Sequence, residues 1–237
     1  MEKIKMDSKR SVVLLMGPPG AGKGTFAQRF VECMAMVGYP CTHLSTGDIL
    51  RRREFGSHPR GDEMVRLLEA GEFVPDELMY EIITQRLAWP DVAPLCLMDG
   101  MPRTVPQAEW MLTHLNVVAV VHLNVPFQVV VDRVSGRRIH PASGRTYNIL
   151  NPSFQPLRPG FDDETGEPLI MRPEDDPKVV IQRLATYQNK TVPAIQYYRA
   201  LAGQEGQRML FLEFEGERSP DELARVAAPF IISRISS

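Results

Sequence analysis

Short apolar runs alternate along this chain with longer segments in which apolar residues recur at the spacing of a helix. The apolar runs are bounded by turn residues and read VVLLM from Val12, CTHLS from Cys41, LCLM from Leu95, VVAVVHL from Val117 and RMLFLEF from Arg208. The helical segments read FAQRFVECMAMVG, DELMYEIITQRLA, VPQAEWMLTHL and VPFQVVVDRVSGRR, followed by the stretch from Pro177 to Ala202. This alternation predicts a three-layer α/β fold, with a parallel sheet covered by helices on both faces.

Two segments depart from the alternation. Residues 46–71 contain two helix-like pieces without a strand, and residues 139–172 are rich in proline, glycine, asparagine and aspartate. The second segment is too long for an ordinary connection within a compact core. It therefore predicts a functional lid or a small inserted domain.

Composition limits the partners that this chain is expected to have. Its 237 residues are 43% hydrophobic and 24% charged, which fits one globular domain with inserts. The formal charge of -2 gives no general attraction to nucleic acid or to an anionic membrane, so neither is expected as a partner. The cysteines Cys33, Cys41 and Cys96 are widely spaced and form no metal or redox motif. No apolar run approaches membrane-spanning length and the N-terminus has no signal core, so we expect a soluble intracellular protein.

The sequence GPPGAGKGT, from Gly17 to Thr25, lies between the first apolar run and the first helical segment. With Gly17, Gly22 and Lys23 it satisfies the pattern GxxxxGK. In that pattern backbone N–H groups surround a phosphate, the helix N-terminus adds its dipole and the lysine adds a point charge. Gly24 stands where the general motif has the serine or threonine that holds magnesium, and Thr25 follows it. The stretch predicts a phosphate-binding loop.

Five spaced motifs, GPPGAGKGT, LSTGDILR, LMDGMPRTVPQAE, VDRVSGRR and RPEDDPKVVIQRLATY, resemble those of adenylate kinases in the same order. The resemblance covers nearly the whole chain and implies a P-loop fold with a five-stranded parallel sheet. It places the core at residues 1–45, 76–137 and 174–237, an AMP-binding insert at 46–75 and a LID over ATP at 138–173. The implied reaction is direct in-line transfer, MgATP + AMP = two ADP, with Mg²⁺ bound together with ATP. We also expect a monomer located in the cytoplasm.

Phosphoryl transfer between two polyphosphates brings like charges together, so such a site needs converging arginines. By resemblance, the ATP-binding residues are Gly20, Ala21, Gly22, Lys23, Gly24, Thr25, Arg133 and Arg137. The implied AMP-binding residues are Thr46, Arg51, Val74, Gly100, Arg103, Gln107, Arg172 and Arg183. The implied catalytic set is Lys23, Asp99, Arg133, Arg137, Arg172 and Arg183. The spacing of four between Arg133 and Arg137 predicts that both lie on one helix face just before the LID.

Acidic residues and one apolar substitution complete the expected site. Asp99 ends an apolar run before Gly100, so its carboxylate is expected at the carboxyl edge of the sheet, where it would hold waters on Mg²⁺. Met101 stands where the family is expected to have phenylalanine, which keeps an apolar contact beside AMP but removes an aromatic face. Glu174 and Asp175 match a paired acidic position of the family. They either fix arginines across the closing site or act as charges at a helix N-terminus.

The LID is expected to hold no zinc. The positions at which some family members carry zinc-binding cysteines are His140, Ser143, Asp162 and Thr165, and a serine and a threonine make poor zinc ligands. The resemblance implies a hydrogen-bonded tetrad instead, with His140 paired to Asp162. The alternative is that the four are unrelated loop residues.

Two alternative functions stay open at this point. One is another nucleoside monophosphate kinase, with GTP as donor or UMP or CMP as acceptor, and the other is a nucleotide sensor without turnover, which the intact arginine set disfavours. Thr46 and Gln107 favour AMP, because the hydroxyl suits a purine edge and the amide matches the N1 acceptor and N6 donor of adenine. Alternatively, Thr46 caps a helix and Gln107 is an exposed residue of a first helical turn. The sequence does not determine the base of the donor.

Overall fold

The computed structural model describes residues 10–216 and 218–236, and this part of the chain forms seven strands. They are β1 (Ser11–Met16), β2 (Cys41–Ser45), β3 (Leu95–Asp99), β4 (Asn116–Asn124), β5 (Arg137–Ile139), β6 (Thr146–Asn148) and β7 (Leu210–Glu215). Five of them form a parallel sheet in the order β2-β3-β1-β4-β7, and β5 and β6 form a separate antiparallel pair. The parallel sheet confirms the α/β fold that the alternation predicts.

Nine α-helices accompany the strands in the described residues. They are α1 (Lys23–Met36), α2 (Thr46–Arg51), α3 (Gly61–Glu69), α4 (Asp76–Leu87), α5 (Val105–His114), α6 (Phe127–Gly136), α7 (Pro177–Thr186), α8 (Val192–Ala202) and α9 (Pro220–Ile235). The helices α2 and α3 follow one another without a strand between them, as the pattern of residues 46–71 predicts. The segment expected to be a lid contains the β5-β6 hairpin, which is extended by a bridge between Ile139 and Ile170.

Coverage of the sheet on both faces explains why β1 is continuously apolar. Val12 and Leu14 point into a core built with α4, α5 and α8, whereas Val13 and Leu15 point into a core built with α1, α6 and α9. None of the four is more than 1% exposed. A strand buried on both sides has no solvent-facing position for a polar residue. The loop that follows β1 therefore starts from a strand that is packed on both faces.

The stretch from Pro177 to Ala202 is helical, as its periodicity predicts, but it is not a regular α-helix throughout. A π-helical turn, Tyr187–Thr191, separates α7 from α8, and Pro193 is the second residue of α8. Proline has no backbone N–H and cannot continue the regular bonding of a long helix. Wide turns of this kind are frequent at functional sites.

Helix α9 is an element for which the apolar pattern gave no expectation. It follows β7, packs against α1 and contains Pro229, which masks the helical signal in the sequence. Its buried face nevertheless recurs at helical spacing, through Leu223, Ala224, Ala227, Ala228 and Ile231. Within the described part of the chain, no helix combines the length and apolar character that crossing a membrane requires.

Candidate active site

The glycine-rich loop joins the carboxyl end of β1 to the first residue of α1. Gly22 is the N-cap of α1 and has a φ of 85°, a left-handed conformation that a side chain would make costly. Lys23 begins the helix, and its ammonium donates to the carbonyl oxygens of Gly17 at 3.0 Å and Pro18 at 2.9 Å. The strand, loop and helix expected for phosphate binding are therefore present, with the lysine folded over the loop.

A cavity opens beside this loop, and we call it the central cavity. Lys23 lines it together with Arg103 and Arg183, and the π-helical turn contributes Tyr187 and Thr191. The loop after β1 and the residues after β3 meet here because β1 and β3 are neighbours in the parallel sheet. Ligands of open α/β sheets bind at this carboxyl edge.

Opposing effects determine the pKa of the Lys23 ammonium. Burial lowers the pKa of its ammonium to about 8, although the nearby carboxylate of Asp99 raises it. Three guanidinium groups, those of Arg103, Arg183 and Arg137, lower the pKa further. A phosphate placed in the cavity would supply the negative charge that this lysine lacks.

Asp99 lies where the sequence places it, at the carboxyl end of β3. Its Oδ1 is buried and has no hydrogen-bond partner among the described residues. Buried carboxylate oxygens normally have partners, so an unpaired one fits a ligand that is supplied from outside the chain. Water bound to a magnesium ion is such a ligand. Thr25, which is half-buried in the first turn of α1, has a hydroxyl that could be a second oxygen ligand.

Arginines converge on the same edge of the sheet. Burial, followed by the repulsion of neighbouring arginines, lowers the pKa of Arg172 and of Arg183 to about 10, and burial also lowers the pKa of Arg103. All three stay charged at neutral pH. The Nε of Arg172 is buried without a partner in the described part of the chain. The cluster is therefore an excess of positive charge that a polyphosphate would neutralise.

Two buried carboxylates hold members of this cluster in place. Glu174 accepts from Arg51 Nη1 at 2.9 Å and its carbonyl accepts from Arg183, while Asp175 accepts from both Nε and Nη2 of Arg137, with 2.8 Å to Nε. Glu174 is 2% exposed and Asp175 1%. The geometry favours the first of the two alternatives for this acidic pair, the fixing of arginines, over a charge at a helix end.

Arg133 and Arg137 do not share a helix face, so this expectation was wrong. Helix α6 ends at Gly136, and Arg137 is the first residue of β5 with extended backbone angles. The chain leaves the helix because Arg137 pairs with Asn148 in the hairpin. Arg133 remains in the last turn of α6 and its Nη1 lies 3.4 Å from the carbonyl oxygen of Ala21 in the phosphate loop.

A second cavity, which we call the acceptor pocket, adjoins the central cavity. Five of the residues expected to bind AMP line it, namely Thr46, Val74, Gly100, Arg103 and Gln107. Gly100 has a φ of 91°, and a side chain there would clash with Thr46 Oγ1. Arg51 is not in this wall, because Asp48 and Glu174 hold it at 2.6 and 2.9 Å. Arg183 lines the central cavity instead.

Phe73 is a residue of the site that the motifs did not reveal. It lines both cavities, and the guanidinium of Arg103 and the ammonium of Lys190 lie 5.3 and 5.4 Å from its ring centroid. Met101, 1% exposed, lies in the wall of the acceptor pocket as expected. An aromatic ring is thus present beside the pocket although position 101 carries methionine. In the sequence, the one indication of this role was that Phe73, a large apolar residue, precedes Val74.

Gln107 is buried, not exposed as the alternative supposed. It is 3% exposed, and its backbone N–H is capped by Thr104 Oγ1 at 3.3 Å. Its side-chain amide donates to Asp76 and accepts from the N–H of Arg103. Thr46 is also buried, at 2%, and is the first residue of α2, whereas the cap of that helix is Ser45.

The four residues expected in the LID form a connected polar cluster, which further residues join. His140 Nε2 donates to Glu167 at 2.6 Å and Nδ1 accepts from Ser143 at 2.8 Å, whereas Asp162 is 3.9 Å from His140. His140 and Asp162 are therefore within ion-pair distance but share no direct hydrogen bond, and Thr165 Oγ1, 3.5 Å from His140 Nε2, links the two. Thr165 binds Asp162 through both its hydroxyl and its backbone N–H, at 2.9 Å each.

Arg145 is a further partner of Asp162. It donates to both carboxylate oxygens of Asp162, at 2.8 and 2.6 Å, and Tyr147 adds a third donor at 2.9 Å. These bonds, the one to Arg145 above all, hold the pKa of Asp162 well below its usual range. The donors Arg145 and Tyr147 were not anticipated from the sequence. In residues 10–216 and 218–236, no three or more acidic, histidine or cysteine residues are arranged to hold a metal ion.

Comparison with protein families agrees with this geometry. The family model described as adenylate kinase matches residues 15–202, which include the phosphate loop, the acceptor pocket, the segment expected to be a LID and the arginine cluster. Members of this family are phosphotransferases that act on nucleoside monophosphates. A match over most of the chain, together with the site, shows that this protein belongs to the adenylate kinase family.

Proposed function

We propose that this protein catalyses the reversible transfer of a phosphoryl group from MgATP to AMP, giving two ADP. The observation that carries the proposal is that the central cavity and the acceptor pocket share Phe73, Gly100 and Arg103. A group held in one cavity is therefore within reach of a group held in the other. Such an arrangement suits direct transfer between two nucleotides without a covalent intermediate.

The proposed roles follow from charge and position. The phosphate loop, from Gly20 to Thr25, binds the donor phosphates with its N–H groups, and Lys23 follows the group in flight. Arg133 borders the donor side. Arg137 and Arg183, each within electrostatic range of Lys23, stabilise the charge that develops between the nucleotides. Asp99 is the residue that would hold the waters of Mg²⁺, which supplies neutralisation of the phosphate charge when it is bound.

On the acceptor side, Arg103 and Arg51 would bind the phosphate of AMP, with Arg172 beside them. After the larger effect of burial, the nearby charge of Arg51 also lowers the pKa of the Arg172 guanidinium. Glu174 already holds Arg51 in position. Preorganised cations of this kind need no rearrangement at the moment of transfer.

The base of the acceptor would be read by Thr46 and Gln107. Uracil presents a donor and an acceptor in the order opposite to adenine, so the amide of Gln107 opposes UMP. Cytosine presents the same order as adenine on a smaller ring, and its rejection would depend on the size of the pocket. The monomeric state and the cytoplasmic location stay predictions, and the assay below decides the base of the donor.

The test is a coupled assay of ADP formation with four nucleoside triphosphates as donors against four monophosphates as acceptors. We expect the highest kcat/KM for ATP with AMP. Equal use of AMP, UMP and CMP would refute the choice of acceptor and leave the kinase chemistry standing. Binding of nucleotides without any transfer would indicate a sensor.

A single substitution links this activity to the phosphate loop. Lys23→Met is expected to lower kcat by about 10³-fold or more, as for other charges on a transferring phosphate, without loss of the fold. Lys178→Met, which removes an exposed lysine from α7, is the matched control and should leave kcat unchanged. A Lys23→Met variant with near-normal turnover would contradict the assignment of the loop.

A further inference from the structure

The amide of Gln107 is held from two sides by groups of opposite hydrogen-bonding character. Its Nε2 donates to Asp76 Oδ1 at 2.6 Å, and its Oε1 accepts from the backbone N–H of Arg103 at 2.7 Å. A carboxylate only accepts and a backbone N–H only donates. The two neighbours therefore select the same orientation of the amide and exclude the one rotated by half a turn.

This orientation leaves one N–H and one oxygen lone pair for a ligand in the acceptor pocket. An amide has two of each, and Asp76 and Arg103 each use one. Adenine offers the matching pair, an acceptor at N1 and a donor at N6. Hypoxanthine, a purine of nearly the same shape, has a donor at N1 and an acceptor at O6. A fixed amide thus distinguishes two bases that size does not.

Asp76 is the member of this arrangement that a side-chain substitution can change, because the other holder of Gln107 is main chain. It is the first residue of α4 and lies 31 positions before Gln107 in the sequence. A charge at the start of a helix normally stabilises the helix dipole, a role that Glu77 in the same turn also fills. The short bond to a buried amide in the pocket wall is what distinguishes Asp76 from Glu77.

We propose that Asp76 is a positioning residue for the choice of acceptor: by fixing the Gln107 amide, it makes the pocket select 6-amino purine monophosphates over 6-oxo purine monophosphates. The inference rests on the proposed function and extends it to a residue that does not touch the substrate. Asp76 acts through Gln107, and its replacement is expected to lower the free-energy cost of rotating the amide, which the N–H of Arg103 alone then opposes.

The experiment compares kcat/KM for AMP and for IMP, with MgATP as donor, in the wild type, Asp76→Asn and Glu77→Gln. Asparagine has the shape of aspartate but either accepts or donates, so it no longer opposes the rotated amide, and only the backbone N–H of Arg103 still disfavours that orientation. We expect the AMP to IMP ratio to fall on the order of tenfold in Asp76→Asn, the effect of about one hydrogen bond. Glu77→Gln removes the same charge from the same turn and should keep the wild-type ratio.

Two results would overturn the positioning role. One is an unchanged ratio in Asp76→Asn, which indicates a purely structural residue if both activities fall together with the thermal midpoint. The other is a further tenfold change in the ratio when Asp76→Asn is added to Gln107→Ala, where no further change is expected. If Asp76→Asn does not unfold cooperatively, Asp76→Ser serves in its place with the same expected fall.

Failure of the proposed function gives a different signature. In that case the wild type itself transfers no phosphoryl group from ATP to AMP. The affinities of AMP and IMP, measured by calorimetry on the wild type and Asp76→Asn, then decide the positioning role without turnover. A tenfold fall in their ratio supports it, and an unchanged ratio refutes it.

Discussion

Raising the pH should inactivate the free enzyme through Lys23, well before an ordinary lysine would lose its proton. Burial lowers the pKa of this ammonium from 10.5 to about 8. The folded pKa lies below the unfolded one, so the charged form is lost in the folded state as pH rises through about 8. About nine tenths of the lysine is charged at pH 7 and about a tenth at pH 9. If only the charged form supports transfer, kcat/KM falls tenfold for each pH unit above this pKa.

Nucleotide binding should shift this alkaline limb of the pH profile, the fall in activity as pH rises. Phosphates beside Lys23 favour its charged form and raise its pKa, so kcat, which reports the bound complex, is expected to fall at a higher pH than kcat/KM. The buried groups Tyr187 and Cys41 do not interfere, since burial raises the pKa of each to about 12, and Arg172 and Arg183, whose pKa burial lowers to about 10, lose charge mainly above pH 9. The separation between the two limbs therefore measures how strongly the donor phosphates interact with Lys23.

The assay is ADP formation with MgATP varied at saturating AMP, between pH 6.5 and 10 at constant ionic strength. Lys23→Arg is the matched variant, because a guanidinium keeps its charge over this range even though its geometry lowers the activity. Its kcat/KM should show no limb near pH 8. A wild-type profile that is flat to pH 10, or the same limb in Lys23→Arg, would refute the role assigned to the ammonium.

Three further predictions concern the LID. Elemental analysis of the native protein should find no stoichiometric zinc, and a stoichiometric amount would contradict the polar cluster. Arg145→Met should lower the thermal midpoint of unfolding more than the double variant with Asp162→Asn does, because the single change leaves a buried carboxylate without its main partner; equal midpoints would argue against the pairing. Small-angle scattering should show compaction with a bisubstrate analogue, since water has to be excluded from the transferring group, and an unchanged radius of gyration would argue against closure.

The sequence was most informative about segments whose conformation depends on their own neighbouring residues. The strand, the glycine-rich loop and the first turn of α1 are contiguous, so the motif from Gly17 to Thr25 contains nearly all the information about its own conformation. The apolar strands were equally clear, because burial on both faces leaves no polar residue from Val12 to Met16 of β1 and one, His122, from Val117 to Leu123 of β4. By contrast, Pro229 concealed α9, a helix stabilised mainly by its packing against α1.

Contacts between distant segments could not be read from spacing. The resemblance indicated that Asp162 belongs to a polar cluster. Its partner Arg145 could not be predicted, because the β5-β6 hairpin brings Arg145 to Asp162 only in the folded chain. Gln107 was recognised as a candidate, yet its burial and its bond to Asp76 result from the packing of α4 against α5. Phe73 escaped notice because a single apolar residue carries no motif.

The arrangement of charges explains why the site should be responsive to phosphate. Glu174 and Asp175 hold Arg51 and Arg137, but Arg172 and Arg183 have pKa values lowered by burial and by other arginines. Holding cations together in a partly buried place costs free energy that folding alone does not recover. Polyphosphate binding offsets that cost, so the nucleotides are expected to draw the arginines of the core and of the LID boundary together. Closure and catalysis then depend on the same residues, because the charges that would stabilise the transferring group are also those that repel one another without it.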